Sequence, residues 1–217
     1  MKLPTKPADC ASLKITRSVN VTDEGGLSIE EQTIFSGYYA QWIRSYFRGE
    51  TKARRIDLIQ SIFARSGTYQ VESIDFPDPN DPTLEAVLKM TYQMAPDSSG
   101  EIVLPAAWEN DYLSISFINQ RKNPYEWQLP TRIHSETTLK AKGPFSREYL
   151  KSLQASDENE FCRWASEVVA TESHHLNVTY RFETKATTYP AEHYSTLRDA
   201  WNSSLIPARH KIRFQKP

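Results

Sequence analysis

The chain has 217 residues and a formal net charge of −1, and 39% of its residues are hydrophobic. That length and apolar share are enough to bury a core, while the near-neutral charge argues against a general nucleic-acid binder, which carries a basic excess. No apolar run approaches a membrane span, MKLPTKPADC at the N-terminus has no apolar signal region, and two cysteines, Cys10 and Cys162, are too few for a disulfide scaffold or a zinc ribbon.

Residues 13–21, LKITRSVNV, alternate cleanly. Leu13, Ile15, Val19 and Val21 share one face; Lys14, Thr16, Ser18 and Asn20 share the other. This predicts a half-buried strand. DEGG supplies a turn and LSIEEQTIF alternates again, so the pair reads as a β-hairpin. The apolar period changes at Ser36. Ala40, Ile43 and Phe47 recur at helical spacing, Gly49 interrupts, and Ile56, Ile59, Ile62 and Phe63 resume the pattern. Residues 37–65 therefore read as a broken helix or two short ones. Arg44, Arg48, Lys52 and Arg55 align on one side. An anion-binding stripe is one use of such a run, and a solvated helix face is the commoner one.

FPDPNDP (76–82) has the carboxylates of a calcium loop without its spacing, so a rigid turn is expected. In LEAVLKMTYQM (84–94), Leu84, Ala86, Leu88, Met90, Tyr92 and Met94 point one way, with the methionines as core fillers. YLSISFI (112–118) and IHSETTLKAK (133–142) predict two more strands, the second placing His134 on its polar face. The polar link NQRKNPYEWQLP joins them.

Residues 160–185 read as a last hairpin. Cys162, Trp164, Val168 and Ala170 share one face of its first strand, and Leu176, Val178, Tyr180 and Phe182 share one face of its second. YPAEHYSTLRDAWNSSL then predicts a C-terminal helix opened by Pro190, with Tyr194, Leu197 and Trp201 as its apolar stripe. With no internal repeat and no linker, residues 1–217 form one domain.

EFCRWASEVVATESHH places a thiol near two imidazoles, the ingredients of thiol catalysis. Alternation instead packs Cys162 beside Trp164 and Val168, and no helix N-terminus is there to lower its pKa. His174 and His175 are adjacent, and adjacent strand residues face opposite ways, so sharing one metal ion is disfavoured. P-loop, H-E-x-x-H, G-x-S-x-G and dinucleotide patterns are absent from the sequence. No catalytic, metal or cofactor residue is assigned.

Three stretches together resemble a known family. The first is LPTKPAD…DEGGLSIEEQTIFSGYYAQWIR, a strand pair running into Gly37-x-x-Ala40-x-x-x-Arg44. The second is FINQRKNPYEWQLP, with Arg121 and Pro124. The third is TTYPAEHYSTLRDAW, with Tyr194 four residues after Pro190. In order and spacing they look like the C-terminal β-domain of bacterial transglutaminase-like proteins, in which a papain-like thiol core precedes this domain. The resemblance implies a β-domain and export to the periplasm or cell surface. It also implies a transglutaminase-like core as partner, in the same polypeptide or complex. The family's catalytic residues belong to that core, so Gly37, Ala40, Arg44, Arg121, Pro124 and Tyr194 are expected to be structural.

The expected protein is thus mainly β, a sandwich with a helical insertion at about 37–65 and a C-terminal helix. Its expected role is that of a non-catalytic accessory module, packing on or presenting substrate to a thiol enzyme core. Two alternatives stand beside it. One is a stand-alone cell-surface module for a protein or glycan, using exposed Trp108, Tyr125 and Trp127. The other is a small hydrolase using Cys162 with a histidine.

Overall fold

The computed structural model describes residues 11–63, 69–95, 101–103, 108, 125–126, 131–141, 143–145, 150, 154–160, 162–185, 188–196, 198–199 and 211–213. The protein is mainly β. β1 (Ala11–Val21) and β2 (Leu27–Gly37) form the first hairpin, turning through Gly25 at φ 85°. Helices α1 (Tyr38–Phe47) and α2 (Lys52–Phe63) follow, then β3 (Tyr69–Asp75) and β4 (Ala86–Met94). β7 (Arg132–Lys140), β8 (Ala155–Glu158), β9 (Cys162–Glu172) and β10 (His175–Thr184) make the second half. The short pieces β5 (Glu101–Val103) and β12 (Lys211–Arg213) pair with each other, as do β6 (Tyr125–Glu126) and β11 (Thr188–Tyr189).

The eight long strands form one mixed sheet in the order β3-β4-β2-β1-β7-β10-β9-β8. Among the described residues these strands make one sheet rather than two face-packed ones, so the expected sandwich is not shown. Every neighbouring pair is antiparallel except β1 and β7, which run parallel and join two antiparallel halves. A parallel pair cannot be joined by a hairpin, and β7 follows β4 in the chain only after residues 95 to 131.

Alternation sorts the sheet into a buried face and a polar one. Leu13, Ile15 and Val19 of β1, Leu88 and Met90 of β4, Ile133 and Leu139 of β7, and Leu176 and Phe182 of β10 are all buried. Phe47, Ile59 and Phe63 from the helices join the same core. Gly37 bends the chain from β2 into α1 at φ 58°, ψ −127°, a conformation that a side chain would strain. No helix among the described residues is long and apolar enough to cross a membrane.

The core also holds charge. Arg17 and Glu31 lie opposite each other on β1 and β2, facing inward, and both are buried. The Glu31 carboxylate collects four donors. Oε2 accepts from Arg17 Nε at 2.6 Å and Tyr92 OH at 2.8 Å, and Oε1 accepts from Thr33 OH at 2.8 Å and Trp108 Nε1 at 2.5 Å. All four lone-pair positions of the carboxylate are thereby filled, which is what a buried anion needs. Burial, reinforced by the Glu31 charge, raises the Tyr92 phenol well above its ordinary pKa, so it donates rather than ionises.

Two further expectations change. Leu84 is 44% exposed and lies before β4, which starts at Ala86. Trp108 is fully buried, with edge-on contacts to Phe35 and Phe63, each at 5.4 Å, so it cannot belong to an exposed aromatic row. The expected C-terminal helix is present: a 3-10 turn at Ala191–His193 runs into helical residues 194–196 and 198–199 with Tyr194 buried, while Leu197 and Trp201 lie outside the described residues. The strand expected at 112–118 lies outside the described residues, as does most of the link at 119–130.

Candidate functional site

Among the residues singled out by family resemblance, Arg44 has the clearest role. It does not lie on a solvated stripe with Arg48 and Lys52. Its side chain is buried, and it donates to the carbonyls of Asp81 (2.7 Å), Asp78 (3.5 Å) and Leu84. It thus clamps the 78–84 loop, whose carboxylates are already engaged locally: Asp78 accepts from the Asn80 N–H, and Asp81 from the Thr83 N–H and hydroxyl. Arg55 lies over the Phe47 ring at 5.5 Å. Ala40 packs against the core. Arg121 and Pro124 lie outside the described residues.

Cys162 opens β9 and is fully buried beside Trp164, with Ser166 and Val168 further along the same face. Ala170, expected with them, is exposed. Burial pushes the thiol up to about 11, and the Asp157 charge adds to it. The other groups acting on it are Asn159 and Lys185, not an imidazole. His174 and His175 lie past the far end of β9, roughly 30 Å away at about 3.3 Å per residue. In a Cys10→Ser variant, alkylation near pH 7 should therefore be slow and should accelerate only as denaturant opens the fold. Rapid native labelling that disappears when His174 or His175 is replaced would contradict this.

The feature best suited to a ligand lies on the other face of the sheet. Across β7, β10, β9 and β8 the outward residues form two rows. One row runs Arg132, Glu183, Arg163, Glu158. Glu183 sits between its arginines, accepting from Arg132 Nη2 at 3.1 Å and from Arg163 Nε and Nη2 at 2.8 and 2.5 Å. Partial burial pushes Glu183 up, but the hydrogen bonds from Arg163 and Arg132 outweigh it and leave the carboxyl below its ordinary range. Glu158 is likewise held low by Lys185, whose Nζ lies 2.6 Å from it.

The second row is His134, Arg181, Ala165, Ser156. Its centre is Arg181, whose guanidinium comes no closer than 3.7 Å to Glu167, beyond hydrogen-bond range. Five N–H donors are thus left for an incoming acceptor. The two rows line an open groove of about 830 Å³. Alanine and serine beside Arg181 give it room. The outward placement of these residues follows from the alternation of Leu176, Val178, Tyr180 and Phe182. The pairing of β10 between β7 and β9, which collects the arginines, has no signature in the sequence.

One sequence expectation about the histidines also changes. Glu172, His174 and His175 meet at the β9–β10 turn. The strand-parity argument fails there for two reasons. His174 belongs to the turn rather than to a strand, and the pairing slips by one residue. His175 faces Glu172 whereas Leu176 faces Ala170, leaving Thr171 unopposed. Such a bulge reverses the alternation locally and brings Glu172 to the side of His175.

No family model, curated protein or solved structure matches the chain.

Proposed function

We propose that this chain is a non-catalytic binding module whose polar sheet face receives an acidic segment of a partner protein. The observation that carries this reading is Arg181, whose guanidinium is ion-paired with Glu167 at 3.7 Å but beyond hydrogen-bond range, at the centre of a roomy groove. The neighbouring Arg132 and Arg163 are already bridged by Glu183, so the local field is mixed and a single carboxylate-rich stretch suits it better than a polyanion. The buried, high-pKa thiol favours binding over thiol chemistry. In this reading the partner is the transglutaminase-like core that the family resemblance implies, at the periplasmic or outer surface, and the module holds or presents substrate to that core. A transglutaminase core encoded in the same reading frame would support that assignment, and a frame encoding an unrelated partner would remove it.

The groove is tested with peptides. A hexapeptide of glutamates should bind more tightly than one of lysines, and its affinity should fall with salt because the site is open. Arg181→Ala should weaken it by roughly tenfold or more, the scale of a lost charge-assisted hydrogen bond. Arg54→Ala, on the exposed side of α2, is the control. Equal binding by wild type and Arg181→Ala, measured by calorimetry, would reject the groove as the site.

A further inference from the structure

We propose that Glu172, His174 and His175 form a zinc-binding site at the tip of the β9–β10 hairpin, independent of the groove. Glu172 Oε2 lies 3.6 Å from His174 Nε2 and 3.4 Å from His175 Nδ1, and the three ligand atoms fall within 4.8 Å of one another. Zinc bound tetrahedrally at about 2.0–2.2 Å to nitrogen and oxygen sets its ligand atoms roughly 3.3 Å apart. Two of the three spacings are thus near the required edge before any ion is present. Two imidazoles and one carboxylate are a donor set that suits zinc among abundant ions, with the fourth position left to water or to a partner's side chain.

The turn is built to hold these groups in place. The Ser173 and His174 carbonyls accept the N–H groups of Phe145 and Ala141, tying the loop to the chain that follows β7. Ser173 Oγ lies 3.2 Å from His174 Nδ1. As the acceptor of an Nδ1 proton, it leaves the lone pair on Nε2, the nitrogen that faces Glu172, which is the supporting role that fixes a ligand tautomer. The two rings meet edge to face at 4.6 Å, so neither swings freely. Lys140 on β7 pairs opposite His175 across the sheet. Its charge works against the ion and sets a moderate affinity.

Equilibrium dialysis of the full chain against zinc should give one saturable site per chain, and cobalt in its place should give tetrahedral d–d absorption. His174→Ala, His175→Gln and Glu172→Gln should each weaken binding at least tenfold and remove the cobalt signal. Ser173→Ala should weaken it by about tenfold, the scale of a lost supporting contact. Zinc should also raise the melting temperature of the wild type and not that of His174→Ala. His174 and Glu172 are on the surface, so their variants keep the fold, and His174→Ala decides the matter if His175→Gln is unstable. His193→Ala, near Glu160, should leave binding unchanged. No saturable site, or loss of binding in His193→Ala but not in His174→Ala, overturns the proposal.

Discussion

Glu31→Ala is expected to destabilise the fold by about 3–5 kcal/mol, the range for breaking a buried ion pair from one side. The Arg17 guanidinium would remain in the core without the carboxylate that faces it. Tyr92, Thr33 and Trp108 would each lose the acceptor they share. A neutral donor left unpaired costs about 1–3 kcal/mol, so the losses overlap rather than add. Arg17→Met with Glu31→Leu should recover part of the deficit, because the charge is then gone as well. Recovery stays incomplete while the Tyr92 and Trp108 donors have no acceptor. Urea unfolding with an unchanged m-value is the measurement. A loss below about 1 kcal/mol for Glu31→Ala would mean that water reaches the carboxylate.

This cluster shows where reading the sequence succeeds and where it stops. Arg17 falls in register with Leu13, Ile15 and Val19, and Glu31 with Leu27 and Ile29, so parity alone puts both on the buried face. A charge on an apolar register is a visible signal, and its pairing follows once β1 and β2 are read as a hairpin. What remains hidden is how the rest arrives. Trp108 comes from 77 residues away along the chain to reach Glu31, and no local pattern encodes that meeting. The same holds for the groove. Outward parity marks Arg181, but only the β7-β10-β9 order sets it between His134 and Ala165. At the β9–β10 turn, local pattern misleads, because one unopposed residue reverses the faces. Arg44 is a further case. Helical spacing put it among solvated cations, while the carbonyls of a loop more than 30 residues away took its guanidinium.

Trp108→Ala should be the second large effect, at about 3–5 kcal/mol, as for a buried tryptophan cut to a methyl. The indole is wholly buried and stands edge-on to Phe35 and Phe63, so its loss opens a cavity between the sheet and α2. Trp108→Phe separates packing from hydrogen bonding. A phenyl ring can keep the edge-to-face contacts, each worth about 0.5–1.5 kcal/mol, but it offers Glu31 Oε1 no donor. The Phe variant is therefore expected to lose about 1–3 kcal/mol, the scale of a hydrogen bond to a charged group. Combining Trp108→Phe with Glu31→Gln tests whether the two act together. Groups in one hydrogen-bond network couple by about 0.5–3 kcal/mol, whereas independent sites add to within about 0.5 kcal/mol. Additive losses in denaturant unfolding would show that Trp108 contributes by packing alone. A coupling above that threshold would show that Trp108 acts through its hydrogen bond to Glu31 as well as through packing.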